Sequence, residues 1–209
     1  MTAAIPQGAR LVLATHNTHK VSELAAILSE VVPGFQREWL VSAADLDAPE
    51  PVEDGVTFAQ NSLIKARAMA QATGLPAIAD DSGIIVDVLG GAPGIFSARW
   101  CGHHGDDAAN LDLLLAQLSD VPDHARGAAF VAYASLVTPA GQEVFERGDI
   151  RGTLLRERHG AGGFGYDPIF RPDGMEQSLA EVSAEEKNRI SHRSAAFRAL
   201  APHIAAALS

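Results

Sequence analysis

The sequence predicts an α/β fold built on a mixed β-sheet with flanking helices. Two observations lead to this prediction. Strand-like apolar runs alternate with helices of amphipathic pattern from the start of the chain to about residue 118. Three further strand-like runs then follow one another before the chain becomes helical again. A chain that first alternates and then meanders is typical of an α/β domain with a mixed sheet.

The first predicted elements are a strand over residues 11–15 and an amphipathic helix directly after it. The apolar positions of that helix recur at helical spacing, at Val21, Leu24, Ala25 and Leu28. A Pro-Gly pair at 33–34 is expected to end it. The apolar run 39–41 predicts a second strand. Residues 42–56 contain five acids, two prolines and no basic residue, so we expect a loop there.

The middle of the chain predicts a helix over residues 58–73. Asp54 is a candidate for its N-cap, and Gly74 with Pro76 is expected to close it. Two strand-like runs follow, 76–80 and 83–88, on either side of the segment Asp-Ser-Gly. A further amphipathic helix then carries Leu111, Leu114, Leu115 and Leu118 on one face.

The last part of the chain predicts three strands, a loop and a helical end. The strand-like runs are 128–137, 142–150 and 151–155, and a Pro-Ala-Gly turn joins the first two. Residues 160–168 form a glycine-rich loop. The segment Ser183-Ala-Glu-Glu186 has the form of a capping box, which indicates the start of a C-terminal helical region.

Composition indicates an ordinary globular protein. A chain of 209 residues, with 47% hydrophobic and 20% charged residues, suits one sizeable domain or two closely packed lobes. Its single cysteine, Cys101, excludes an internal disulfide framework and favours a reducing compartment. No apolar run approaches the roughly 20 residues that cross a membrane, and the first residues have no signal-peptide pattern. We therefore expect a cytoplasmic protein without a membrane partner.

The charge balance limits the classes of ligand. The formal net charge is −10, with 26 acidic and 16 basic residues. Binding along a nucleic acid requires a basic face, so we expect no nucleic-acid partner. A small phosphorylated ligand remains compatible with this charge, because a local group of basic residues with a metal ion can hold it.

The segment THNTHK, residues 15–20, joins the first strand to the first helix. Free backbone N–H groups and the positive end of the helix dipole gather at such a point, so a phosphate fits there. Thr15, Asn17 and Lys20 could add donors. The alternative is a polar connection with a helix cap, since the spacing of a P-loop is absent.

Adjacent acids, Asp80 and Asp81, end the third strand-like run. Neighbouring residues of a strand point to opposite faces, so the two acids are not expected to share one site unless a turn begins there. One acid at this place suits a general base or a ligand of a hard metal ion. The alternative is a simple Asp-Ser-Gly turn.

Further candidates surround these two segments. Glu50 or Glu53 in the acidic loop could reach a metal held by Asp81, although acids in loops are commonly just solvated. On the next helix Asn61 and Lys65 are four residues apart and share a face. A lysine at the edge of an apolar stripe commonly extends its amine to water instead.

The glycine-rich loop and the C-terminal region offer groups that could hold a base. Phe164 could stack on a base, and Lys187, His192 and Arg193 could hold a phosphate or a carbonyl-bearing base. A core phenylalanine and solvated helix charges are the alternatives. A zinc interpretation of the segment CGHHGDD is rejected, because no second ligand pair with zinc spacing is present.

Taken together, these segments resemble the non-canonical purine NTP pyrophosphatases, the inosine triphosphatase-like family. The matching stretches occur in the family's order and spacing: LATHNTHKVSELAAIL, FAQNSLIKARAMA, PAIADDSGIIVDVLGGAPGIFSARW, GGFGYDPIF and AEEKNRISHRSAAFRAL. The resemblance implies an elongated, twisted mixed sheet with flanking helices, in which residues 1–209 form a single domain of two lobes around a central substrate cleft. It also implies a homodimer.

The resemblance further implies an activity and roles for particular residues. The activity is hydrolysis of ITP, dITP and XTP to the monophosphate and pyrophosphate, with Mg²⁺ as cofactor. Asp81, Lys20 and Lys65 would be catalytic, and Asp81 with Glu53 would hold the metal. The residues implied to bind substrate are Thr15, His16, Asn17, Thr18, His19, Lys20, Asn61, Ser82, Phe164, Gly165, Tyr166, Asp167, Lys187, His192 and Arg193.

One departure and two alternatives accompany this resemblance. Many relatives carry glycine where His19 stands, which leaves the roles of His16 and His19 open. A Maf-like pyrophosphatase for modified pyrimidine nucleotides is one alternative activity, but the ISHR and GFGYDP segments favour purines. A non-catalytic nucleotide sensor is the other, and the presence of both Asp81 and Lys20 disfavours it.

Overall fold

The structure is a computed structural model that describes residues 4–48 and 50–209, apart from the side chains of Thr18 and His19. Its strands are β1 (Leu11–Leu13), β2 (Leu40–Ser42), β3 (Ala77–Val86), β4 (Gly127–Val137), β5 (Glu143–Leu154) and β6 (Phe170–Pro172). Its helices are α1 (Thr18–Val31), α2 (Phe58–Thr73), α3 (Asp107–Gln117), α4 (Ala184–Ile190) and α5 (His192–Leu208). None of the helices in these described residues is long and apolar enough to cross a membrane.

The six strands form one mixed sheet in the order β2-β1-β3-β4-β5-β6. Strand β1 lies parallel to both β2 and β3, and Val12 is the partner of Val41 on one side and of Ala77 on the other. Strands β5 and β6 are antiparallel. The helices α1 and α2 connect the parallel strands, as parallel pairing requires. The predicted mixed α/β sheet is therefore confirmed.

The chain divides into two compact units. The first consists of Met1–Asp81, Ala132–Gly148 and Arg193–Ser209, and the second of Ser82–Val131 and Asp149–His192. The single domain with two lobes around a cleft, expected from the resemblance, stays a prediction.

The core of the first unit lies on both faces of its strands. Leu11 and Leu13 pack in a cluster with α1 and α5, which includes the fully buried Leu24 and Phe197. Val12, between them, packs in a separate cluster with residues of α2. Side chains alternate across a strand, so one short apolar strand can serve two layers of helices.

The core of the second unit is one apolar cluster that includes Ile84, Leu111 and Leu114. Two aromatic rings lie at its centre, where Phe130 and Phe170 meet edge to face with centroids 4.8 Å apart. This is a preferred geometry for aromatic pairs.

Two predicted breaks in strands are wrong, and a glycine near each of them allows a close contact within the continuous strand. Strand β3 runs without interruption through Asp-Ser-Gly. A Cβ at Gly83 would lie 2.4 Å from the Ser97 hydroxyl. Strand β5 likewise unites the two runs expected as separate strands, and a Cβ at Gly152 would lie 2.3 Å from the carbonyl oxygen of Arg171. A glycine inside a strand often marks such an approach.

The helix caps show one error and two confirmations. Thr57, not Asp54, caps α2, since its side chain accepts a hydrogen bond from the backbone of Gln60. Thr57 stands directly before the helix, where an N-cap must lie. Gly74 closes α2 in the left-handed conformation, with φ of 69°. Ser183 caps α4 by accepting from the backbone N–H of Glu186.

Candidate active site

The predicted phosphate-binding loop lies between β1 and the start of α1. The Asn17 side-chain oxygen accepts a hydrogen bond from the backbone N–H of Lys20 at 3.3 Å, and the Thr15 hydroxyl accepts from the N–H of Asn17 at 3.2 Å. His16 donates from Nε2 to the carbonyl oxygen of Ala48 at 2.7 Å. The strand, loop and helix order is confirmed, and phosphate binding stays a prediction. The roles expected of the Thr18 and His19 side chains lie outside the described residues.

Asp80 is buried in the first unit between two cations. The Nζ of Lys20 lies 3.2 Å from each carboxylate oxygen of Asp80. The Nε of Arg193 donates to Oδ2 of Asp80 at 3.0 Å, and Nη1 of Arg193 lies 3.6 Å from a carboxylate oxygen of Glu23. Asp80 and Arg193 are only 3% and 4% exposed. Together they form a buried network of alternating charge.

The electrostatics of this network keep Asp80 ionised. Burial is the largest single influence and opposes ionisation, but the charges of Lys20, Arg193 and Lys65 outweigh it and lower the pKa of Asp80. Burial, aided by the charges of Arg193 and Lys65, lowers the pKa of Lys20 despite the attraction of Asp80. An acid that holds its charge so firmly is a poor proton acceptor.

Asp81 occupies a different environment. Nδ2 of Asn61 donates to its Oδ2 at 3.2 Å, and Nζ of Lys65 lies 3.4 Å from its Oδ1. The same ammonium group lies 3.2 Å from a carboxylate oxygen of Glu53. The predicted shared face of Asn61 and Lys65 is confirmed, because each contacts a different oxygen of Asp81.

Burial, together with the charges of neighbouring acids, raises the pKa of Asp81. Burial is the main cause that raises the pKa of Asp81; Lys65 opposes it, but the charges of Glu53 and Asp80 act in the same direction as burial. Burial lowers the pKa of Lys65, yet the charges of Asp81, Asp80 and Glu53 outweigh burial and raise it overall. Lys65 therefore stays charged beside an acid that is suited to accept a proton.

The donor set at Asp81 and Glu53 fits a hard metal ion. No group of three His, Cys, Asp or Glu side chains in the described part of the chain could hold a metal ion by itself. Nucleotide sites commonly bind Mg²⁺ through one or two carboxylates, with phosphate oxygens and water completing the shell. Asp81 and Glu53 meet that requirement, since both reach Lys65. Glu50 instead lines a small cavity together with His16 and Lys65.

The residues expected to contact the base form a local cluster in the second unit. Nζ of Lys187 contacts a carboxylate oxygen of Asp167 and lies 4.5 Å from the centre of the Phe164 ring. Asp167 also accepts from the backbone N–H of Phe164 at 2.8 Å. Phe164 as a whole residue is 50% exposed, and the ammonium group of Lys187 lies over its ring.

The other predicted base contacts are more deeply placed. The hydroxyl of Tyr166 donates to the carbonyl oxygen of Ser97 at 2.9 Å, and burial raises the pKa of this phenol. The backbone N–H of Gly165 donates to Asp107. His192 is buried and its ring stacks on Phe130 at 5.1 Å. Ser82 lies in β3, next to Asp81.

Sequence reasoning missed two members of the buried network. Glu23 received no role, although it lies one helical turn after Lys20 and so shares its face. Asp80 was considered only as a rival of Asp81. Arg193 was grouped with Lys187 and His192, whereas its guanidinium group lies against Asp80 and Glu23. Its expected contact with the base stays a prediction.

Comparison with known proteins identifies a matching family model and curated relatives that match most of this chain. A sequence model of the Ham1 family matches residues 11–203. The dITP/XTP pyrophosphatase of Streptomyces avermitilis is 58% identical over 193 residues, which is 92% of this chain and 96% of that protein. The dITP/XTP pyrophosphatase of Streptomyces coelicolor is 56% identical over 193 residues, again 92% and 96% of the two chains.

Solved structures agree with the sequence relatives. A HAM1 protein from Coxiella burnetii has a TM-score of 0.84 at 35% identity, covering 94% of this chain and 98% of that one. The nucleoside-triphosphatase / dITP/XTP pyrophosphatase from Mycobacterium abscessus has a TM-score of 0.76 at 49% identity, covering 92% and 99%. The residues matched by the family model include all six strands, the acid pair of β3 and the loop before α1. This chain therefore belongs to the Ham1 family.

Proposed function

We propose that this protein hydrolyses non-canonical purine nucleoside triphosphates (ITP, dITP and XTP) to the monophosphate and pyrophosphate, and so cleanses the nucleotide pool. The proposal is carried by one observation, the carboxylate of Asp81 held between the side chains of Asn61 and Lys65. It is supported by the relatives at 58% and 56% identity, which are dITP/XTP pyrophosphatases.

The triphosphate is proposed to bind at the start of α1. The first N–H groups of a helix have no partner within the helix, and the helix dipole favours negative charge there. Lys20 adds an ammonium group in the first turn. The backbone of Thr15 to Lys20 is already ordered by the hydrogen bonds to Thr15 and Asn17, which reduces the cost of ordering on binding.

Asp81 is proposed to act as the general base. Each carboxylate oxygen has two lone-pair sites, so Asp81 can accept a hydrogen bond from water beside those from Asn61 and Lys65. The water oxygen attacks the α-phosphorus, and its proton passes to Asp81. The bond from the α-phosphorus to the bridging oxygen breaks, and that oxygen keeps the electron pair as pyrophosphate leaves. Lys20 and Lys65 stabilise the negative charge that develops.

Mg²⁺ is the proposed cofactor, held by Asp81 and Glu53. When bound, it would screen the charge of the phosphate oxygens, so that water can approach an anionic substrate. Glu53 contributes in the protein itself as well, because its charge raises the pKa of Asp81.

The base is proposed to stack on Phe164 and to receive a hydrogen bond from Lys187. Hypoxanthine and xanthine carry a carbonyl acceptor at C6, where adenine carries an amino donor. Lysine has only donors, so it satisfies the carbonyl and leaves the amino group of ATP unmatched. Asp167 and the Phe164 ring fix the position of Lys187. Sites of this kind can reject a mismatched analogue by up to about 10⁴-fold.

A panel of nucleoside triphosphates, with both pyrophosphate and orthophosphate measured, tests the activity. We expect ITP and XTP far ahead of ATP, with pyrophosphate as the primary product. Orthophosphate and a diphosphate as the first products would contradict the proposal, as would hydrolysis of modified pyrimidine nucleotides alone. A protein that binds ITP without turnover would be a sensor.

We also propose that the protein is cytoplasmic, which its single cysteine favours, and that it is a homodimer, which its resemblance to the family implies. Light scattering measures the mass directly. A mass near 21.9 kDa at micromolar concentration would contradict the dimer, because that is the mass of one chain.

A further inference from the structure

The buried network of the first unit forms a circuit of three ion pairs that begins and ends on α1. It begins at Lys20 on α1, passes to Asp80 on β3 and Arg193 at the start of α5, and returns to α1 at Glu23. Lys20 and Glu23 lie one helical turn apart, so both ends of the circuit are fixed on one face of α1. Three elements that are far apart in sequence thereby hold one another.

Asp80 is the centre of this circuit. Lys20 reaches its two carboxylate oxygens at equal distances of 3.2 Å, while Arg193 donates to one of them at 3.0 Å. The Asp80 side chain is 2% exposed and the Lys20 side chain 21%. The carboxylate is therefore closed off from solvent, whereas the Lys20 side chain remains partly exposed.

We propose that Asp80 is a positioning residue for hydrolysis, and that it acts through Lys20 by fixing the ammonium group at the start of α1. The inference rests on the proposed function, in which Lys20 stabilises the leaving pyrophosphate. Lysine has a long side chain with many rotamers, and a charge that stabilises a transition state must already be in place. A displacement of about 1 Å can cost about 10²-fold in rate.

A cycle of four proteins tests this inference: the wild type, Asp80→Asn, Lys20→Met and the double variant. Asparagine keeps the shape of the aspartate and removes its charge. If Asp80 acts through Lys20, we expect Asp80→Asn to lower kcat/KM for ITP at least about tenfold when Lys20 is present. In the Lys20→Met background the same change should cost less than about threefold, since the residue it acts through is already absent. Equal factors in the two backgrounds would overturn the proposal.

A purely structural role gives a different pattern. It would couple Asp80 and Lys20 in the free energy of unfolding measured with urea, but the loss of kcat/KM would be equal in both backgrounds. Asp87→Asn is the matched control, because Asp87 is an exposed aspartate paired with Arg151. We expect its activity to stay within about twofold of the wild type, as is usual for surface pairs.

Two further measurements keep the outcome clear. If the Asp80→Asn single variant does not fold, the effect of the Asp80 charge on kcat/KM can still be measured by comparing Lys20→Met with the double variant. A loss of more than about tenfold between those two would overturn the inference. The affinity of the same four proteins for inorganic pyrophosphate, measured by calorimetry, gives a second cycle that does not depend on catalysis. If the wild type hydrolyses no nucleotide, the proposed function fails. In that case, energetic coupling between Asp80 and Lys20 in pyrophosphate binding would still support the positioning role of Asp80. Additive effects of the two substitutions on pyrophosphate binding would refute that role.

Discussion

Asp80 and Asp81 are neighbours on one strand, yet their surroundings give them opposite properties. Asp80 lies against Lys20 and Arg193, and these cations lower its pKa in spite of burial. Asp81 shares one lysine with Glu53, and burial raises its pKa. The difference shows that burial alone does not decide the chemistry of a carboxylate. The cations and acids around each carboxylate also contribute, and here they separate an acid that stays ionised from one whose pKa is raised.

The largest expected effect is a loss of stability when the cations around Asp80 are reduced. Arg193→Met leaves Glu23 without this cation and Asp80 with one cation fewer, in a site that excludes water. We expect the free energy of unfolding to fall by about 3 kcal/mol, since removing one partner of a buried ion pair is costly. Urea unfolding measures this. Arg198→Met is the control, because the exposed pair of Arg198 and Glu30 should contribute less than about 1 kcal/mol. Equal losses in the two variants would show that the network does not hold the fold.

The next effect is on turnover, at the other acid. Asp81→Asn keeps the shape of the side chain and removes the carboxylate oxygen that is proposed to accept the proton. We expect kcat for ITP to fall by at least about 10²-fold, the low end for loss of a general base, while the urea midpoint changes little. Compared with Asp81→Asn, Asp80→Asn should lower the free energy of unfolding more and lower turnover less. If Asp81→Asn kept full turnover, the base would have to be another residue and the contrast between the two acids would be wrong.

A smaller loss is expected when the cation shared by Asp81 and Glu53 is removed. Lys65→Met leaves the two acids facing each other without a positive charge between them. We expect kcat/KM to fall by about tenfold or more, because in the proposed reaction Lys65 also stabilises the leaving group. Arg67→Met on the same helix is the matched control, since Arg67 pairs with Glu143 at the surface. Similar losses in both variants would mean that the effect comes from the helix and not from the site.

The smallest expected effect is at Asn61, which orients Asp81 through one hydrogen bond. Its other side-chain atom, Oδ1, is buried and has no hydrogen-bond partner among the described residues, and a Cβ at Gly55 would lie 2.5 Å from it. Asn61→Ala removes the donor to Asp81, and we expect kcat to fall about fivefold, since a typical hydrogen bond contributes about 1 kcal/mol. Asn61→Asp, which places a third acid beside Lys65, should be worse than alanine. An alanine variant worse than the aspartate would contradict this account of Asn61.

Sequence patterns predicted those parts of the molecule whose cause is local. The strand before THNTHK, the left-handed cap at Gly74 and the Ser183 cap each depend on a few neighbouring residues, and the structure has all three. The opposite orientation of Asp80 and Asp81 also followed from the period of a strand. That Asn61 and Lys65 share a face followed in the same way from the period of a helix.

What the sequence did not reveal depends on contacts between distant residues. The hydrogen bond from Arg193 to Asp80 joins residues 113 positions apart, so no local sequence pattern predicts it. Gly83 was interpreted as part of a turn because Asp-Ser-Gly is a common turn sequence. Its actual cause is the close approach of Ser97 and the carbonyl oxygen of Gly94, which only the folded chain displays.

Hydrolysis of ITP in water enriched in ¹⁸O, with the products separated and weighed by mass spectrometry, tests the central claim most directly. Attack of water on the α-phosphorus places the label in the monophosphate and leaves the pyrophosphate unlabelled. That is the result we predict, with label transfer at least about 10²-fold slower in Asp81→Asn than in the wild type. Label in the pyrophosphate, or a diphosphate and labelled orthophosphate as products, would contradict the proposed reaction and the role given to Asp81.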